Sequence, residues 1–366
     1  MLNIDKPIKD TKIVVAMSGG VDSSTVAGLL KEKGYDVIGI TLQLYDHGAM
    51  LAKKGACCAG IDIYDAKMAA EHFKIPHYVL DYESKFKESV IDDFVETYIR
   101  GETPLPCVRC NQSVKFVDLV KMAKELEADA LVTGHYVQRI DQEGIPQLHM
   151  GKDPKKDQSY FLFATTKEQL EYIHFPLGGI TKEETRKHAE RLGLRISNKP
   201  DSQDICFVPN GSYSELVKKL RPNSAQDGKI MHIDGYEVGT HSGIINYTIG
   251  QRRGLGIAHP HPLYVVRIKP EENIVYVGPV EALNRHDFII KDINWLGDTE
   301  SIPNDLEVQV KIRSTQKAVY AKMSPFNGGR QAKVSLLTAD KAVSPGQACV
   351  MYDGTRLLGG GWIARD

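Results

Sequence analysis

Ser18-Gly-Gly-Val-Asp-Ser-Ser24 follows an apolar, strand-like run and opens a helical one. Its glycines let the backbone curl so that successive N–H groups point inward, and Ser18, Ser23 and Ser24 add hydroxyl donors. A helix N-terminus at the same place adds partial positive charge. Such a loop would cradle the β- and γ-phosphates of ATP. Asp22 would cap the helix or help to hold Mg²⁺. The loop lacks the Gly-Lys-Ser/Thr ending of a Walker A sequence, and its glycine spacing is not that of a dinucleotide fingerprint. The second set of reactive residues is sulfur. Pro106-Cys107-Val108-Arg109-Cys110-Asn111 spaces two thiols three positions apart, and Cys206 stands in the polar run Asp201-Ser-Gln-Asp-Ile-Cys-Phe207. A structural zinc site would need four N or S ligands, and the chain has no second Cys-x-x-Cys to complete one.

The elements that must position these residues alternate. Strands are expected at Lys12–Met17, Asp36–Leu42, His77–Leu80 and Ala130–Thr133. Helices are expected at Ser23–Lys33, Ile61–Phe73, Glu83–Ile99, Ser113–Leu126 and Lys182–Leu192, with Ala66, Ala69 and Ala70 packing inward. That alternation predicts an α/β fold, a doubly wound parallel sheet whose ligand lies beyond the carboxyl ends of its strands. A hairpin is expected from Val137 and a helical stretch from about Gln158. After about residue 215 short β-branched strands punctuated by glycine and proline take over, including Tyr264–Ile268, Ile274–Val277, Val308–Ile312 and Ala348–Tyr352. They predict small β domains ending in a C-terminal barrel. The expected division is 1–215 for the ATP-binding catalytic domain, 216–280 for a small central β-rich domain and 281–366 for the barrel.

Composition sets outer limits. The chain has 366 residues, 42% hydrophobic and 25% charged, in the range of ordinary globular proteins. The longest apolar runs are strand-sized, and the N-terminus lacks the basic start and apolar core of a secretory signal, so a cytoplasmic protein without a membrane span is expected. Six cysteines in so long a chain do not make a disulfide framework. Cys57, Cys58 and Cys349 carry no motif and read as packing or incidental residues. Net charge is −1, yet Val308 to Ala339 holds Lys311, Arg313, Lys317, Lys322, Arg330 and Lys333 with no acidic residue. Lys152, Lys155 and Lys156 form a second basic cluster. Each is either a solvated face or an RNA contact.

The Ser18–Ser24 loop resembles that of the pyrophosphatase-type ATP enzymes, which release pyrophosphate and adenylate an oxygen. More specifically, the chain resembles the tRNA-specific 2-thiouridylases. The motifs are the loop, Cys110-Asn111 with Lys115-Phe116, Thr133-Gly-His-Tyr136, Lys156-Asp-Gln-Ser-Tyr-Phe-Leu162, Asp201–Phe207 and Gly250-Gln-Arg-Arg-Gly-Leu-Gly256, in order over most of the chain. This resemblance implies adenylation of O2 of uridine 34 in the tRNAs for Lys, Glu and Gln. A persulfide on Cys206, charged by a sulfur donor protein such as a cysteine desulfurase or a sulfur relay protein, would then place sulfur on C2. Cys110 would act as the second nucleophile and form a transient disulfide with Cys206.

The same resemblance implies an ATP pocket lined by Ala16, Met17, Ser18, Gly19, Gly20, Val21, Asp22, Ser23, Leu42 and Gly134. It implies tRNA contacts at Leu105, Pro106, Cys107, His135, Lys156, Asp157, Gln158, Arg313, Ser314 and Gln347, in a monomeric protein. Many members carry Asp three residues before the first reactive cysteine, a candidate general base, and here Cys107 stands there. A third thiol opens a second scheme, in which Cys107, Cys110 and Cys206 hold a [4Fe–4S] cluster with one open iron that carries the sulfur. A different adenylating synthetase of the same loop class would need neither Cys110 nor Cys206.

Overall fold

Lys12–Ala16 (β1) is a run of β-branched residues fully buried at Ile13, Val14 and Val15, as a strand covered on both faces must be. The computed structural model describes residues 2–45, 58–201, 205–208, 212–341 and 343–365. Tertiary contacts divide the chain into two compact units. One comprises Met1–Val90, Cys107–Gln203 and Thr355–Leu357, the other Ile91–Pro106, Asp204–Gly354 and Leu358–Asp366.

The first unit is built on a parallel sheet of β1, β2 (Asp36–Gln43), β3 (His77–Asp81), β4 (Ala130–Val132) and, after the hairpin β5 (Val137–Gln142) and β6 (Ile145–Met150), the short β7 (Ile173–His174). Their order is β3-β2-β1-β4-β7, and every neighbouring pair is parallel. The order reverses between β1 and β4, the crevice where a doubly wound sheet receives its ligand. Helix α1 (Val21–Glu32) leaves the end of β1 at this point, and α2 (Cys58–Phe73) packs beside it with Ala66, Ala69 and Ala70 buried, as their spacing predicted. Small residues on that face let the helix lie close.

Two expected helices are not continuous. Residues Glu83–Ile99 form α3 (Glu83–Phe86), a π-helical turn Lys87–Ile91 and α4 (Asp92–Ile99). Likewise α5 (Pro106–Cys110) runs into a π turn, Asn111–Lys115, before α6 (Phe116–Glu125). A 3.6-residue pattern does not disclose one inserted residue, but such bulges cluster at functional sites. The later helices of this unit are α7 (Lys167–Tyr172) and α8 (Lys182–Arg191), each opened by a threonine capping box, at Thr166 and Thr181. The stretch from Gln158 is a single 3₁₀ turn, Ser159–Leu162.

The second unit takes in α4 and, after the Cys206 segment, α9 (Tyr213–Leu220), followed by a four-stranded sheet of β8 (Gly228–His232), β9 (Glu237–His241), β10 (Tyr264–Lys269) and β11 (Ile274–Gly278) in the order β10-β11-β8-β9. A barrel follows from β12 (Arg285–Trp295), β13 (Leu306–Lys311), β14 (Val319–Phe326), β15 (Gln331–Asp340), β16 (Ala348–Asp353) and β17 (Arg356–Ile363). Pairing of β12 with both β15 and β17 closes it. Its interior is filled by Ile290, Val310, Met323, Val334, Met351 and Cys349. Cys349 is therefore a packing residue, and complete burial pushes its thiol pKa up. Cys57 lies outside the described residues. Cys58 opens α2, and its side chain is not among the described ones. No helix of the described residues is long and apolar enough to cross a membrane.

Candidate active site

The loop after β1 is held open by its own hydrogen bonds. Ser23 Oγ accepts from the Ser18 N–H at 3.1 Å and lies 3.3 Å from Ser18 Oγ. Gly19 has φ +76°, and a Cβ there would stand 2.0 Å from the Asp62 carbonyl oxygen, so only glycine fits. Gly134 meets the loop from the end of β4, since a Cβ there would come 2.9 Å from the Ser23 nitrogen. Two expectations for the loop need correction. The helix N-cap is Gly20, with no side-chain cap, so Asp22 does not cap α1. Ser24 is fully buried and its hydroxyl has no hydrogen-bond partner, which removes it from the phosphate-facing donors. The Met17 side chain is likewise core, nine-tenths or more buried beneath Gly39, and its carbonyl accepts from Thr41 Oγ1 at 2.7 Å. Leu42 is half-buried near the end of β2, with Leu80 of β3 opposite.

Asp22 has another function. Its carboxylate accepts from Lys182 Nζ at 2.8 and 2.9 Å and from the Tyr136 hydroxyl at 2.7 Å. Lys182 also pairs with Asp201 Oδ1 at 2.7 Å, and Asp201 accepts from Lys156 Nζ at 2.6 Å and from Arg186 Nη2 at 3.4 Å. Two carboxylates and three cations thus form one net beside the loop. The net joins three motifs far apart in sequence: the loop, Lys156-Asp157-Gln158 and the start of Asp201–Phe207. Burial alone would raise the Asp201 pKa, but the hydrogen bonds and charges of Lys156 and Lys182 outweigh it and hold the carboxyl below its usual range. Residues 202–204 of that motif lie outside the described residues. Lys199 ties the loop from the other side, donating to the Gly19 carbonyl at 3.1 Å and to Asp62 at 2.7 Å.

The remaining residues expected to meet RNA in this unit are partly spoken for. Asp157 braces its own turn, accepting from the N–H groups of Gly151 and Ser159 and from the Ser159 hydroxyl. The Gln158 side-chain oxygen accepts from the Tyr136 N–H at 2.8 Å. His135 contacts Thr133 Oγ1 through Nδ1 at 2.8 Å and meets the edges of Phe116 and Phe175. Burial, with the charge of Lys115 adding to it, pushes the His135 pKa down to about 3, so the ring is neutral at physiological pH.

Cys107 and Cys110 lie one turn apart on α5. Cys110 is buried and Cys107 exposed as a residue, yet desolvation raises both thiols, while the Lys115 charge pulls both back. Asn111 anchors this segment by donating from Nδ2 to the Phe161 carbonyl at 3.3 Å. That bond links Cys110-Asn111 to the Lys156–Leu162 motif. Among the described residues no three Cys, His, Asp or Glu side chains converge as a metal-ligand set. Of the three thiols a [4Fe–4S] cluster would need, Cys107 and Cys110 belong to the first unit and Cys206 to the second.

In the second unit Cys206 is exposed on a turn. Its neighbour Phe207 is buried against Phe94 of α4, ring centroids 5.2 Å apart, which holds the turn in place while leaving the thiol outside. Gln347 Nε2 donates to the carbonyls of Thr103 and Pro104 at 3.2 and 3.4 Å, so Gln347 and the Leu105-Pro106 segment adjoin. Of the basic stretch, Lys322 and Lys333 pair with Asp305 and Asp287, and Lys311 is buried over the Tyr352 ring. Arg313, Ser314 and Lys317 are exposed in the β13–β14 connection, with the Arg313 guanidinium beside Gly250 of the Gly250–Gly256 motif.

Family models match nearly the whole chain. The tRNA methyl transferase HUP domain matches residues 11–210, the tRNA methyl transferase PRC-barrel domain 214–279 and the aminomethyltransferase β-barrel domain 285–363. A tRNA-specific 2-thiouridylase MnmA of Rickettsia bellii is 66% identical over 358 residues, 98% of this chain and 97% of the relative. The chain belongs to the tRNA-specific 2-thiouridylase family. A second relative of the same description, from Rickettsia africae, is 64% identical over 98% of both chains. Among solved structures, a 4-thiouridine synthetase–RNA complex with bound ATP aligns at a TM-score of 0.33 and 18% identity, over 58% of this chain and 51% of the other. NMN synthetase from Francisella tularensis aligns at 0.34 and 14%, over 58% and 78%.

Lys182, Tyr136 and Lys115 were not singled out as site residues from sequence. Lys182 sits in an ordinary-looking charged helix, and only the folded position of α8 brings its ammonium to the loop. A threonine capping box was the one local signal that α8 starts there.

Proposed function

We propose that this 2-thiouridylase-family chain thiolates uridine 34 of the tRNAs for Lys, Glu and Gln, using ATP. The carrying observation is the Asp22–Lys182–Asp201–Lys156 net, which gathers three motifs around a loop shaped for phosphate. O2 of the base attacks the α-phosphate of ATP, and pyrophosphate leaves toward the loop amides and Lys182. Asp22 and Asp201 are hard oxygen ligands of the kind Mg²⁺ takes together with phosphate oxygens, and a bound Mg²⁺ would supply charge neutralisation there. His135, neutral and braced by Thr133, offers a hydrogen-bonding ring to the extruded base, and Gln158 holds the Tyr136 backbone in place beneath it.

The outer sulfur of a Cys206 persulfide then attacks C2, and AMP departs with the former O2. The Cys110 thiolate attacks Cys206 Sγ, which breaks the S–S bond, leaves sulfur on the base and leaves a Cys110–Cys206 disulfide. Lys115 favours the Cys110 thiolate that burial opposes. On this reading the enzyme works in the cytoplasm as a monomer, with a cysteine desulfurase or a sulfur relay protein as donor. The three-domain division at 215 and 280 assigns ATP chemistry to the first part and RNA docking to the other two.

Incubation with unmodified tRNA, ATP and a persulfide donor, followed by nucleoside mass spectrometry, should give 2-thiouridine at position 34 with one AMP and one pyrophosphate per sulfur. ATP turnover without thiolated nucleoside would return the chain to another adenylating synthetase. For docking, Arg313→Ala with Lys317→Ala should weaken tRNA binding and flatten log K against log salt by about one unit per lost phosphate contact. An unchanged salt slope would make the β13–β14 connection a merely solvated face.

A further inference from the structure

The persulfide reading ends with Cys110 oxidised, and the structure poses a difficulty there. Cys110 is only 6% exposed, so an external reductant reaches its sulfur poorly and would have to enter that disulfide through Cys206, the thiol that must be freed for recharging. Cys107 lies three residues earlier in α5 and is exposed. Helix geometry puts Cα atoms one such step apart at about 5 Å, inside the range a disulfide spans. Pairing two thiols in Cys-x-x-Cys at a helix start is a general redox arrangement.

We propose that Cys107 is the resolving thiol, which takes the oxidation off Cys110 and presents it at the surface. This rests on the persulfide reading above. The Cys107 thiolate attacks Cys110 Sγ, a Cys107–Cys110 bond forms, and Cys206 leaves as a thiolate ready to be recharged. A dithiol reductant then attacks the exposed Cys107 Sγ, Cys110 leaves as a thiolate, and the reductant's second thiol displaces Cys107 as a thiolate, so the reductant gives up two electrons and departs as its own disulfide. Lys115 is placed to help both steps, since its charge favours the thiolate form of either cysteine.

The test follows the disulfide through one turnover of the full-length protein. Persulfide-charged enzyme is mixed with tRNA and ATP without reductant, quenched with an alkylating agent at intervals and mapped by mass spectrometry. The expected end state is a Cys107–Cys110 disulfide with Cys206 alkylated, preceded by a transient Cys110–Cys206 disulfide. In Cys107→Ser the Cys110–Cys206 disulfide should persist. With a dithiol reductant present, its steady-state rate should fall roughly tenfold further below its own first-turnover rate than wild type does. A wild-type end state of Cys110–Cys206 with Cys107 alkylated overturns the relay and leaves the persulfide reading standing. Thiolated tRNA formed with no disulfide on Cys110 at any time overturns the persulfide reading itself, and the relay with it.

Discussion

Cys206→Ser protein, offered ATP, tRNA and a donor carrying labelled persulfide, should hold no label and form no 2-thiouridine. The loss should be roughly 10⁴-fold or more, as when a covalent nucleophile is removed outright. Cys110→Ser should fail differently. It should take label onto Cys206 and adenylate the base, then stall with sulfur bridging C2 and Cys206, because no thiolate breaks the S–S bond. Denaturing gels would show this as a tRNA–protein adduct that a small thiol releases. The contrast is the informative part, since two damaged folds would give two equal losses of labelling and thiolation. Full activity in either variant would remove sulfur transfer through these cysteines from the reaction and restore the alternative of another adenylating synthetase.

Much of this was readable in the residues because local chemistry constrained it. The Ser18–Ser24 loop needs glycine at position 19, where the φ is +76° and a backbone carbonyl crowds the Cβ position. No other residue type would serve, so the sequence displays the turn directly. The parallel sheet was legible from fully apolar strands, and the C-terminal barrel from short β-branched runs, because burial on two faces or one leaves different patterns. Two features were not legible, and for a shared reason. The π turns at 87–91 and 111–115 depend on where neighbouring segments anchor the chain, as Asn111 does on the Phe161 carbonyl. The ion-pair net depends on α8 and residue 201 returning to a loop some 160 residues earlier, since Lys182 and Asp22 are separated by that distance in sequence. Local pattern carries no trace of such a meeting.

What sequence reasoning read as phosphate or RNA contacts also changes meaning once partners are assigned. Asp22 as a cap would be worth about 1 kcal/mol of helix stability. Asp22 as the carboxylate that holds the Lys182 ammonium beside the loop bears, on the proposed function, on catalysis. Lys156 is likewise bound to Asp201, so its charge holds that carboxylate as well as facing outward. Among the described residues, the basic stretch shrinks from six cations to Arg313, Lys317 and Arg330 as exposed ones with no acidic partner, and the first two are the pair whose loss should flatten the salt dependence.

Lys182→Met should lower pyrophosphate release by roughly 10³-fold, the scale of losing one preorganised charge at a developing anion. ATP arrives with its β- and γ-phosphates at a loop whose own cationic character is only backbone dipoles. The Lys182 ammonium, one-tenth exposed and already held at 2.7 to 2.9 Å by two carboxylates, is oriented before ATP binds. Orientation before binding means little reorganisation when pyrophosphate gains charge, so the effect should fall on kcat more than on KM. Asp22→Ala should cost a similar factor, since it removes one of the two carboxylates that aim Lys182 and leaves the Tyr136 hydroxyl with Thr185 Oγ1 alone. Because the pair acts as a unit, the double variant should be no worse than the poorer single one, and tRNA binding by all three should stay within about twofold of wild type. Losses that multiply would mean that Asp22 and Lys182 serve separate steps. A wild-type rate of pyrophosphate release in Lys182→Met would show that the net holds the fold together and takes no part in the chemistry.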